Sequence, residues 1–365
     1  MPLNTIPNKG LTSRGYPSDR LVTPIIINGD MSVAQRGTSS SSVTSGGYYT
    51  VDRMEHAINY GTWTLSQSTD VPTGQGFAKS AKWDCTATGT PTAGQELKFR
   101  QKIEGQNLQM LKKGTSNAEY MTLAFWVKST KTGTYIIEMR DDDNNRNICS
   151  AYTINASNTW EKKILSFAGD TTGAYSNDNG QSLQCTFWLG AGSNFTSGTL
   201  ATSWESTTNA NRAVGQVNLA DSTSNEWYIT GVQLEVGEFD STTIPSFPFE
   251  SYESNLRKCE RYYEKNAGYS GFFASNSAHL RTTMKTPKRT QSPSISFSNS
   301  PMTVLLYGSS AEGSNSGSSG TDQRSISFAD NAHHIRLLNQ TGTGASNGNG
   351  CILTDSQYVI IDAEL

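Results

Sequence analysis

The chain has 365 residues, of which 35% are hydrophobic, 10% aromatic and 17% charged, and it carries 33 glycines and a net charge of −3. This length allows two domains, each with its own core. Aromatic and β-branched residues recur between Gly-, Ser- and Asn-rich turns, which is typical of an all-β protein and excludes a helical bundle or a disordered chain. The charge gives no electrostatic basis for nucleic-acid binding, and no apolar run is long enough for membrane insertion.

The cysteines are odd in number and widely spaced, so we expect neither a disulfide framework nor a metal site from them. Reduced, buried thiols are the simplest interpretation. The N-terminal residues contain no apolar stretch of signal-peptide length, which predicts synthesis in a cytoplasm. The cysteines are Cys85, Cys149, Cys185, Cys259 and Cys351.

Residues 1–24 contain four prolines, two glycines and few apolar side chains. A segment of this composition cannot bury enough surface to fold alone. We interpret it as an attachment arm that binds another protein or a neighbouring copy, and a disordered tail is the alternative.

A large β domain is predicted over residues 25–250. Residues 25–27 (III) form a short predicted strand that enters a turn at residues 28–30 (NGD). Further strand-like segments are separated by turn signals, which is the pattern of a β-sandwich. They cover residues 48–54, 63–66, 77–83, 97–103, 121–127, 133–140, 149–154, 160–167, 183–189 and 227–236.

The clearest of these strands is the last one. Val232, Leu234 and Val236 share one face and polar residues the other, as expected for a half-buried antiparallel strand. Between the earlier strands, residues 106–114 allow one short helix. Residues 190–225 are long for a hairpin loop, and loops of that length are usually functional or disordered.

A helix is predicted over residues 252–265, after which the texture of the sequence changes. Tyr252, Leu256, Cys259 and Tyr263 follow one another at helical spacing and form a narrow apolar stripe. That stripe either lines the axis of a homotrimer or packs onto the chain's own sandwich. We therefore predict a connecting helix at 251–267 and a smaller C-terminal β domain at 268–365.

The most metal-like cluster lies at residues 141–145. Asp141, Asp143 and Asn145 match the first three alternating ligands of a calcium-binding loop. The pattern then fails, because Arg146 stands where such a loop needs Gly and Tyr152 where it needs Glu. A polar hairpin tip between two strands is the simpler interpretation, and we expect no bound metal.

Catalytic motifs are absent from the sequence. Its four histidines belong to no nucleophile or zinc motif, and no cofactor motif occurs. We therefore predict that the protein is not an enzyme and carries no cofactor. A pair of carboxylates could still hydrolyse a glycosidic bond, since that mechanism depends on a separation in space.

Aromatic side chains are the remaining functional signal. Seven tryptophans and fifteen tyrosines provide flat surfaces on which sugars can stack. Most tryptophans lie inside strand patterns, where we expect them in the core. Trp204 lies among polar residues and is the best candidate for an exposed platform, with Tyr175 second. The alternative for Trp204 is that it anchors its own long loop.

The chain resembles tail-fibre and related virion proteins of bacteriophages, in particular of marine podoviruses. The resemblance rests on blocks that follow in the expected order within residues 25–265, with Met54 where the family usually has Trp. These blocks consist of turns, an alternating strand and a helix stripe, so no functional residue can be transferred. They are residues 27–37 (INGDMSVAQRG), 49–53 (YTVDR), 229–237 (ITGVQLEVG), 248–250 (PFE) and 259–263 (CERYY).

The resemblance implies a jelly-roll domain similar to carbohydrate-binding modules, carried on a trimeric virion appendage. One hypothesis is a tail fibre whose arm, residues 1–24, binds other virion proteins while its C-terminal domain binds host glycan through three weak sites. A second is a capsid decoration or adaptor protein with the same fold, and a third is a polysaccharide depolymerase. Each places the chain in a virion assembled in the host cytoplasm.

Overall fold

The computed structural model describes residues 24–266, 285–290, 293–297 and 359–365, together with the strands of the remaining C-terminal part. The predicted arm, apart from Pro24, lies outside the described residues. Within this described part, antiparallel strands dominate and the helices are short.

The strands and helices have the following bounds. The sandwich contains β1 (Ser39–Val43), β2 (Glu55–Ile58), β3 (Thr62–Ser68), β4 (Ser80–Ala87), β5 (Glu96–Glu104), β6 (Met121–Ser129), β7 (Gly133–Asp141), β8 (Arg146–Ile154), β9 (Glu161–Phe167), β10 (Gln181–Ala191), α1 (Ser193–Thr196), β11 (Glu205–Ser206) and β12 (Glu226–Val236). They are followed by α2 (Tyr252–Glu260), β13 (Tyr263–Asn266), β14 (Ser270–Ala274), β15 (Ser277–Thr283), β16 (Ser294–Phe297), β17 (Val304–Tyr307), β18 (Ser325–Ala329), β19 (Ala332–Leu338), β20 (Gly350–Leu353) and β21 (Val359–Asp362).

Two six-stranded sheets form the sandwich. The first has the order β1-β3-β4-β12-β6-β9 and the second the order β11-β8-β7-β10-β5-β2. The long strands β4 to β10 and β12 all pair antiparallel with their neighbours. Numbered along the chain, they read 1-8-3-6 in the first sheet and 2-7-4-5 in the second, which is the strand order of a jelly roll. The predicted all-β jelly-roll fold is confirmed.

The core lies between the two sheets and is built by strand alternation. On β12, Leu234 points inward and is buried, as the alternating pattern predicted, and Trp227 and Ile229 also point inward because the register shifts between Thr230 and Gln233. The Trp227 ring lies 5.7 Å from Phe99 and 6.1 Å from Phe187 of the facing sheet, measured between ring centroids. Packed aromatic rings from both sheets therefore hold the sandwich together.

A bulge in β12 explains why the predicted strand at residues 25–27 is wrong. Gly231 has a left-handed φ of 62°, and the register with β6 shifts between Thr230 and Gln233. Val232 N donates to Gly29 O at 2.9 Å. A Cβ on Gly29 would lie 2.0 Å from Val232 O, so only glycine allows this approach. Residues 25–27 form bends and a turn that dock at the bulge.

Three further local predictions need correction. Residues 48–54 form no strand, and the chain instead pairs through β1 and β2 on either side of them. The predicted helix at 106–114 is two 3-10 turns, Gly105–Asn107 and Gln109–Leu111. Helix α2 ends at Glu260 rather than at residue 265, because Tyr263 already pairs with Asp362 in a three-stranded sheet outside the sandwich.

Beyond α2 the described strands form one three-stranded and one six-stranded antiparallel sheet. One has the order β13-β21-β16 and the other the order β17-β20-β14-β15-β19-β18. The predicted domain limits at 251–267 and 268–365 stay predictions. Cys85, Cys149, Cys185 and Cys259 are free and buried, which confirms the interpretation made for them.

Four of the resemblance blocks meet at one junction at the edge of the sandwich. The Asp52 carboxylate accepts hydrogen bonds from Gln35 N at 2.9 Å and from Gln35 Nε2 at 2.5 Å. Gln35 Nε2 also donates to Tyr263 O at 2.8 Å. Since Gly29 docks at the β12 bulge, the blocks at 27–37, 49–53, 229–237 and 259–263 are explained by their mutual contacts.

Arg53 is the centre of this junction. Its guanidinium is buried, lies 3.4 Å from the centroid of the Tyr262 ring and donates to Lys102 O at 2.7 Å. It also forms an ion pair with the Glu364 carboxylate. Lys102 Nζ donates a hydrogen bond to Leu365 O at 2.7 Å. The end of the chain is thereby fixed to the sandwich.

Candidate functional site

The outer face of the first sheet carries aromatic side chains that the sequence assigned to the core. On β6, Leu123, Phe125 and Val127 point inward and are buried. Alternation therefore turns Trp126 and Lys128 outward, and Trp126 is only half-buried. Trp160, which immediately precedes β9, is half-buried as well. Most of the tryptophans in strand patterns are buried as expected, namely Trp63, Trp83, Trp188 and Trp227, and these two are the exceptions.

Trp160 is positioned by polar contacts with its neighbours. Its Nε1 donates to Asp70 Oδ1 at 2.9 Å. The Trp160 and Tyr228 rings meet edge to face, with centroids 6.2 Å apart. The Lys128 ammonium lies 4.3 Å from the Tyr228 centroid and forms an ion pair with Asp70. A cation and a carboxylate therefore hold both rings in place.

The same row of contacts continues across β12 to β4. Tyr228 Oη donates to Glu226 Oε2 at 2.7 Å, and Lys82 Nζ lies 2.7 Å from Glu226 Oε1 and 3.4 Å from Asp84 Oδ2. We call this continuous set the aromatic strip. Its members are Asp70, Lys82, Asp84, Lys128, Trp160, Glu226 and Tyr228.

Two carboxylates of the aromatic strip, those of Asp70 and Glu226, are held ionised. Burial acts to raise the pKa of Glu226, but hydrogen bonds from Lys82 and Tyr228 keep it below its ordinary value. For Asp70, burial is likewise outweighed by hydrogen bonds from Lys128 and Trp160, which lower its pKa. These carboxylates therefore accept hydrogen bonds at neutral pH and are poor proton donors.

The outer face of the second sheet is covered by the chain itself. Trp188 points outward on β10 but is fully buried, with Phe195 at 5.3 Å between centroids and the Lys98 ammonium 4.1 Å from its ring. Below this cover, Arg212 Nε donates to Glu138 Oε1 at 2.6 Å. The long segment at 190–225 is thus an ordered, packed structure, and the alternative that it is disordered was wrong.

Trp204 and Tyr175 both lie against one buried cation, Lys113. The Lys113 ammonium is 5.2 Å from the Tyr175 centroid and 5.5 Å from the Trp204 centroid. Tyr175 is buried, so it is no exposed platform. Trp204 is half-buried, and its Nε1 donates to Ala168 O at 2.7 Å. The alternative made for Trp204, that it anchors its own loop, agrees with these contacts.

The candidate metal ligands surround the same lysine or form a turn. Asp141 Oδ2 lies 2.6 Å from Lys113 Nζ, so an ammonium already occupies the place of a cation. Asp143 accepts from Ser176 N at 2.9 Å, and Asn145 has a left-handed φ of 50° in the hairpin between β7 and β8. Among the residues that the structure describes, no group of three or more His, Cys, Asp or Glu could hold a metal ion.

The helix stripe is divided between the inside and the surface. Cys259 and Tyr263 are buried within the chain, and Tyr263 belongs to β13 rather than to the helix. Leu256 is half-buried, whereas Tyr252 is 58% exposed. The stripe therefore packs largely onto the chain's own structure, and only its first residue presents a large surface to a partner. The trimer stays a prediction.

A groove of about 580 Å³ lies at one end of β12. It is lined by residues 232–235 of that strand, by residues 24–26, 28–30 and 245–250, and by Asn255. Phe247 and Phe249 contribute apolar rings whose centroids are 4.9 Å apart. In the part of the chain with assigned structure, no helix is long and apolar enough to cross a membrane.

Comparison with known proteins found no matching family model and no matching curated protein. Among solved structures, the tailspike protein 4 enzymatically active domain of bacteriophage CBA120 is 19% identical over 58% of this chain and 21% of its own, with a TM-score of 0.30. A putative sugar-binding protein from Bacteroides thetaiotaomicron is 12% identical over 59% of this chain and 100% of its own, also with a TM-score of 0.30. A family 30 carbohydrate-binding module is 11% identical over 61% of this chain and 91% of its own, again with a TM-score of 0.30. At such scores the fold assignment rests on the strand order of the chain itself.

Proposed function

We propose that the chain is a virion appendage protein of a bacteriophage, a trimeric tail fibre that binds glycan on the host surface without cleaving it. The observation that carries the glycan-binding part is the aromatic strip. It presents the half-buried indole of Trp160 next to the first sheet, with the buried Tyr228 ring packed edge to face against it and charged groups oriented around both rings. Sites built on strands are more precise than sites on loops.

The chemistry of the aromatic strip suits a neutral sugar. A pyranose ring can stack on the half-exposed Trp160, while its hydroxyls donate to Asp70 and Glu226 and accept from Lys82. The strip holds two ammonium groups and three carboxylates, so a strongly anionic or cationic polymer gains little from it. One such site is weak, and three sites on a trimer would act together.

Binding without hydrolysis is supported by the ionisation of these carboxylates. A glycosidase needs one carboxylic acid with a raised pKa to protonate the leaving oxygen. The pKa of Asp70 and of Glu226 is lowered instead. Burial raises the pKa of Asp52 to about 6, but that carboxyl is fully buried beneath Gln35, where no polysaccharide reaches it. We expect neither catalysis nor a cofactor.

The proposed virion location rests on the resemblance blocks. Four of these blocks contact one another at the junction and stabilise it together. The arm at 1–24 would bind other virion proteins, and the assembled particle would form in the host cytoplasm. The C-terminal region at 268–365 would share in the contact with the host. Neither nucleic acid nor a membrane is among the expected partners.

A second candidate function is that of a capsid decoration or adaptor protein. The groove beside β12 favours this function, because the groove could bind part of another protein through the Phe249 side chain, which is 54% exposed. Imaging the protein on particles separates the two: a position on the capsid supports decoration, and a position on the tail supports the fibre.

Glycan binding is tested with purified full-length chain on a panel of immobilised bacterial polysaccharides. We expect retention on at least one neutral polysaccharide, and Trp160→Ala should weaken it about tenfold, equal to ~1.4 kcal/mol of lost stacking. Tyr120→Ala is the matched control, since Tyr120 is 41% exposed outside the strip. Release of new reducing ends would show that the protein cleaves the polysaccharide. Equal retention of Trp160→Ala and Tyr120→Ala would show that the aromatic strip is not the binding site.

A further inference from the structure

Trp126 is a neighbour of the aromatic strip on the same face of the first sheet. It lies two residues before Lys128 on β6, so both side chains point outward. In the pairing of β6 with β9, Trp126 is directly opposite Lys162. Trp160 precedes Lys162 by two residues and is therefore the diagonal neighbour of Trp126, with Cα atoms roughly 7–8 Å apart. The Lys128 ammonium, 5.8 Å from the Trp160 centroid, agrees with this placement.

The surface around the two indoles is open on one side and covered on the others. Along β6, Ala124 is outward-facing but buried. On β12, Thr230 pairs with Trp126 and is fully buried, and its Oγ1 donates to Lys79 O at 2.7 Å. On β9, which is the last strand of the sheet, Lys162 is exposed. A ligand that contacts both indoles therefore lies along the β9 edge.

The two indoles differ in what they can donate to a sugar. Trp160 Nε1 already donates to Asp70 Oδ1 at 2.9 Å, so Trp160 offers the face of its ring. Trp126 Nε1 has no acceptor among the described residues and is open to solvent, so it can donate to a hydroxyl or ring oxygen. The exposed Lys162 ammonium provides further donors opposite Trp126.

The charges around both indoles balance. The aromatic strip contains two ammonium groups and three carboxylates, and Lys162 raises the number of ammonium groups to three. A neutral sugar on Trp126 therefore encounters no excess of either charge.

We propose that Trp126 is a second stacking platform, so that the site binds two consecutive sugar residues of a neutral glycan chain. One sugar stacks on Trp160, and the next stacks on Trp126, where the indole N–H and Lys162 donate to its oxygens. Once the first sugar is bound, contact of the second is intramolecular, which raises the affinity for the chain. This inference rests on the glycan binding proposed above, and its test separates the two.

The test measures how affinity depends on the length of the ligand. The probe is a neutral polysaccharide retained by the full-length chain, with its constituent monosaccharides and its disaccharide and trisaccharide fragments as competitors. For the parent chain, the best disaccharide should compete at least about tenfold better than the best monosaccharide, equal to ~1.4 kcal/mol. Trp126→Ala should remove this difference, whereas competition by the monosaccharide should change by no more than about twofold.

Further variants separate stacking from a structural role of Trp126. Trp126→Tyr keeps a flat ring and should keep the dependence on length. Trp126→Met keeps an apolar side chain without a flat ring and should lose it, and this variant replaces Trp126→Ala if urea denaturation shows the latter to be unfolded. Tyr120→Ala, outside the site, should behave like the parent chain.

The results that would overturn the inference differ from those that would overturn glycan binding. Equal competition by monosaccharide and disaccharide would show that the site holds one sugar. A dependence on length that survives Trp126→Ala or Trp126→Met would show that the second sugar binds elsewhere. In both cases weaker binding by Trp160→Ala leaves the proposed function standing. Retention of no neutral polysaccharide, or unchanged binding by Trp160→Ala, would overturn the proposed function and this inference together.

Discussion

Replacing Lys113 by Met tests whether its ammonium is the cation that neutralises the buried carboxylates near Trp204 and Tyr175. The Lys113 ammonium contacts Asp141 at 2.6 Å and Asp170 at 3.1 Å, and it donates to the carbonyls of Thr172 and Gly173 at 2.7 and 2.8 Å. Met keeps the length of the side chain but removes the charge. Two carboxylates then lose their shared cation.

The expected loss of unfolding free energy follows from the contacts that the two carboxylates keep. Asp170 keeps Arg146 at 2.7 Å, whereas Asp141, which is fully buried, keeps only the backbone N–H and side-chain amide of Asn144. Breaking a buried pair from one side costs about 3–5 kcal/mol, and the surviving contacts favour the lower end, ~3 kcal/mol. Over a domain of this size that corresponds to a melting temperature lower by roughly 6–12 °C.

Urea denaturation of the full-length chain, followed by tryptophan fluorescence, measures this change directly. Lys112→Met is the matched control, because Lys112 is exposed and pairs with Glu119 at the surface, so its loss should cost less than about 1 kcal/mol. If Lys113→Met unfolds at the same urea concentration as this control, the assignment of Lys113 as the cation of a buried cluster is refuted.

Three other predictions follow from buried groups. His56 is buried among aromatic rings and burial lowers its pKa to about 3, so the unfolded chain takes up the proton first. The contribution of His56 to the free energy of unfolding should fall by ~2 kcal/mol between pH 7 and pH 5, whereas Asp52, with its pKa raised to about 6, acts in the opposite direction. In urea titrations at each pH, the parent chain should lose ~2 kcal/mol more than His56→Phe over this range, and equal losses would contradict the burial of a neutral His56. Gly231→Ala should destabilise by about 1–3 kcal/mol in calorimetry, because its Cβ would lie 2.5 Å from Phe77 Cζ at a φ of 62°; an unchanged melting temperature would contradict the bulge. Arg53→Met should release the C-terminal residues, seen as faster proteolysis there by a carboxypeptidase, because Glu364 loses its buried partner; unchanged digestion would show that other contacts suffice.

Much of the sandwich could be predicted because its strands repeat with a period of two. Residues 232–236 alternate between apolar and polar side chains, and the structure places them in β12, although the bulge at Gly231 shifts the alternation relative to Trp227 and Ile229. The strand predicted at residues 25–27 does not form, because these apolar residues belong to bends and a turn that pack against the β12 bulge, about 200 residues later in the chain. β1 was missed for the opposite reason: its serines give no apolar alternation, and it is held by pairing with β3.

The candidate site was harder to predict because exposure depends on distant parts of the chain. Trp126 could have been placed outside from the inward positions of Phe125 and Val127 alone. Trp188 has the same outward position on its strand, yet Phe195 covers it, and no local pattern announces that cover. Tyr175 lies in a polar stretch but is buried against Lys113. Sequence separation hides such contacts.

Whole-cell binding tests the central claim most directly, namely that the aromatic strip attaches the protein to bacterial surface glycan. Fluorescently labelled full-length chain would be titrated onto strains whose polysaccharides retain it, alongside Trp160→Ala and the control Tyr120→Ala. We expect saturable binding of the parent chain and the control, competition by free polysaccharide, and binding by Trp160→Ala at least about tenfold weaker. Two results would contradict attachment through the aromatic strip. One is that the Trp160→Ala protein binds the cells as strongly as the parent chain, and the other is that free polysaccharide does not compete with binding.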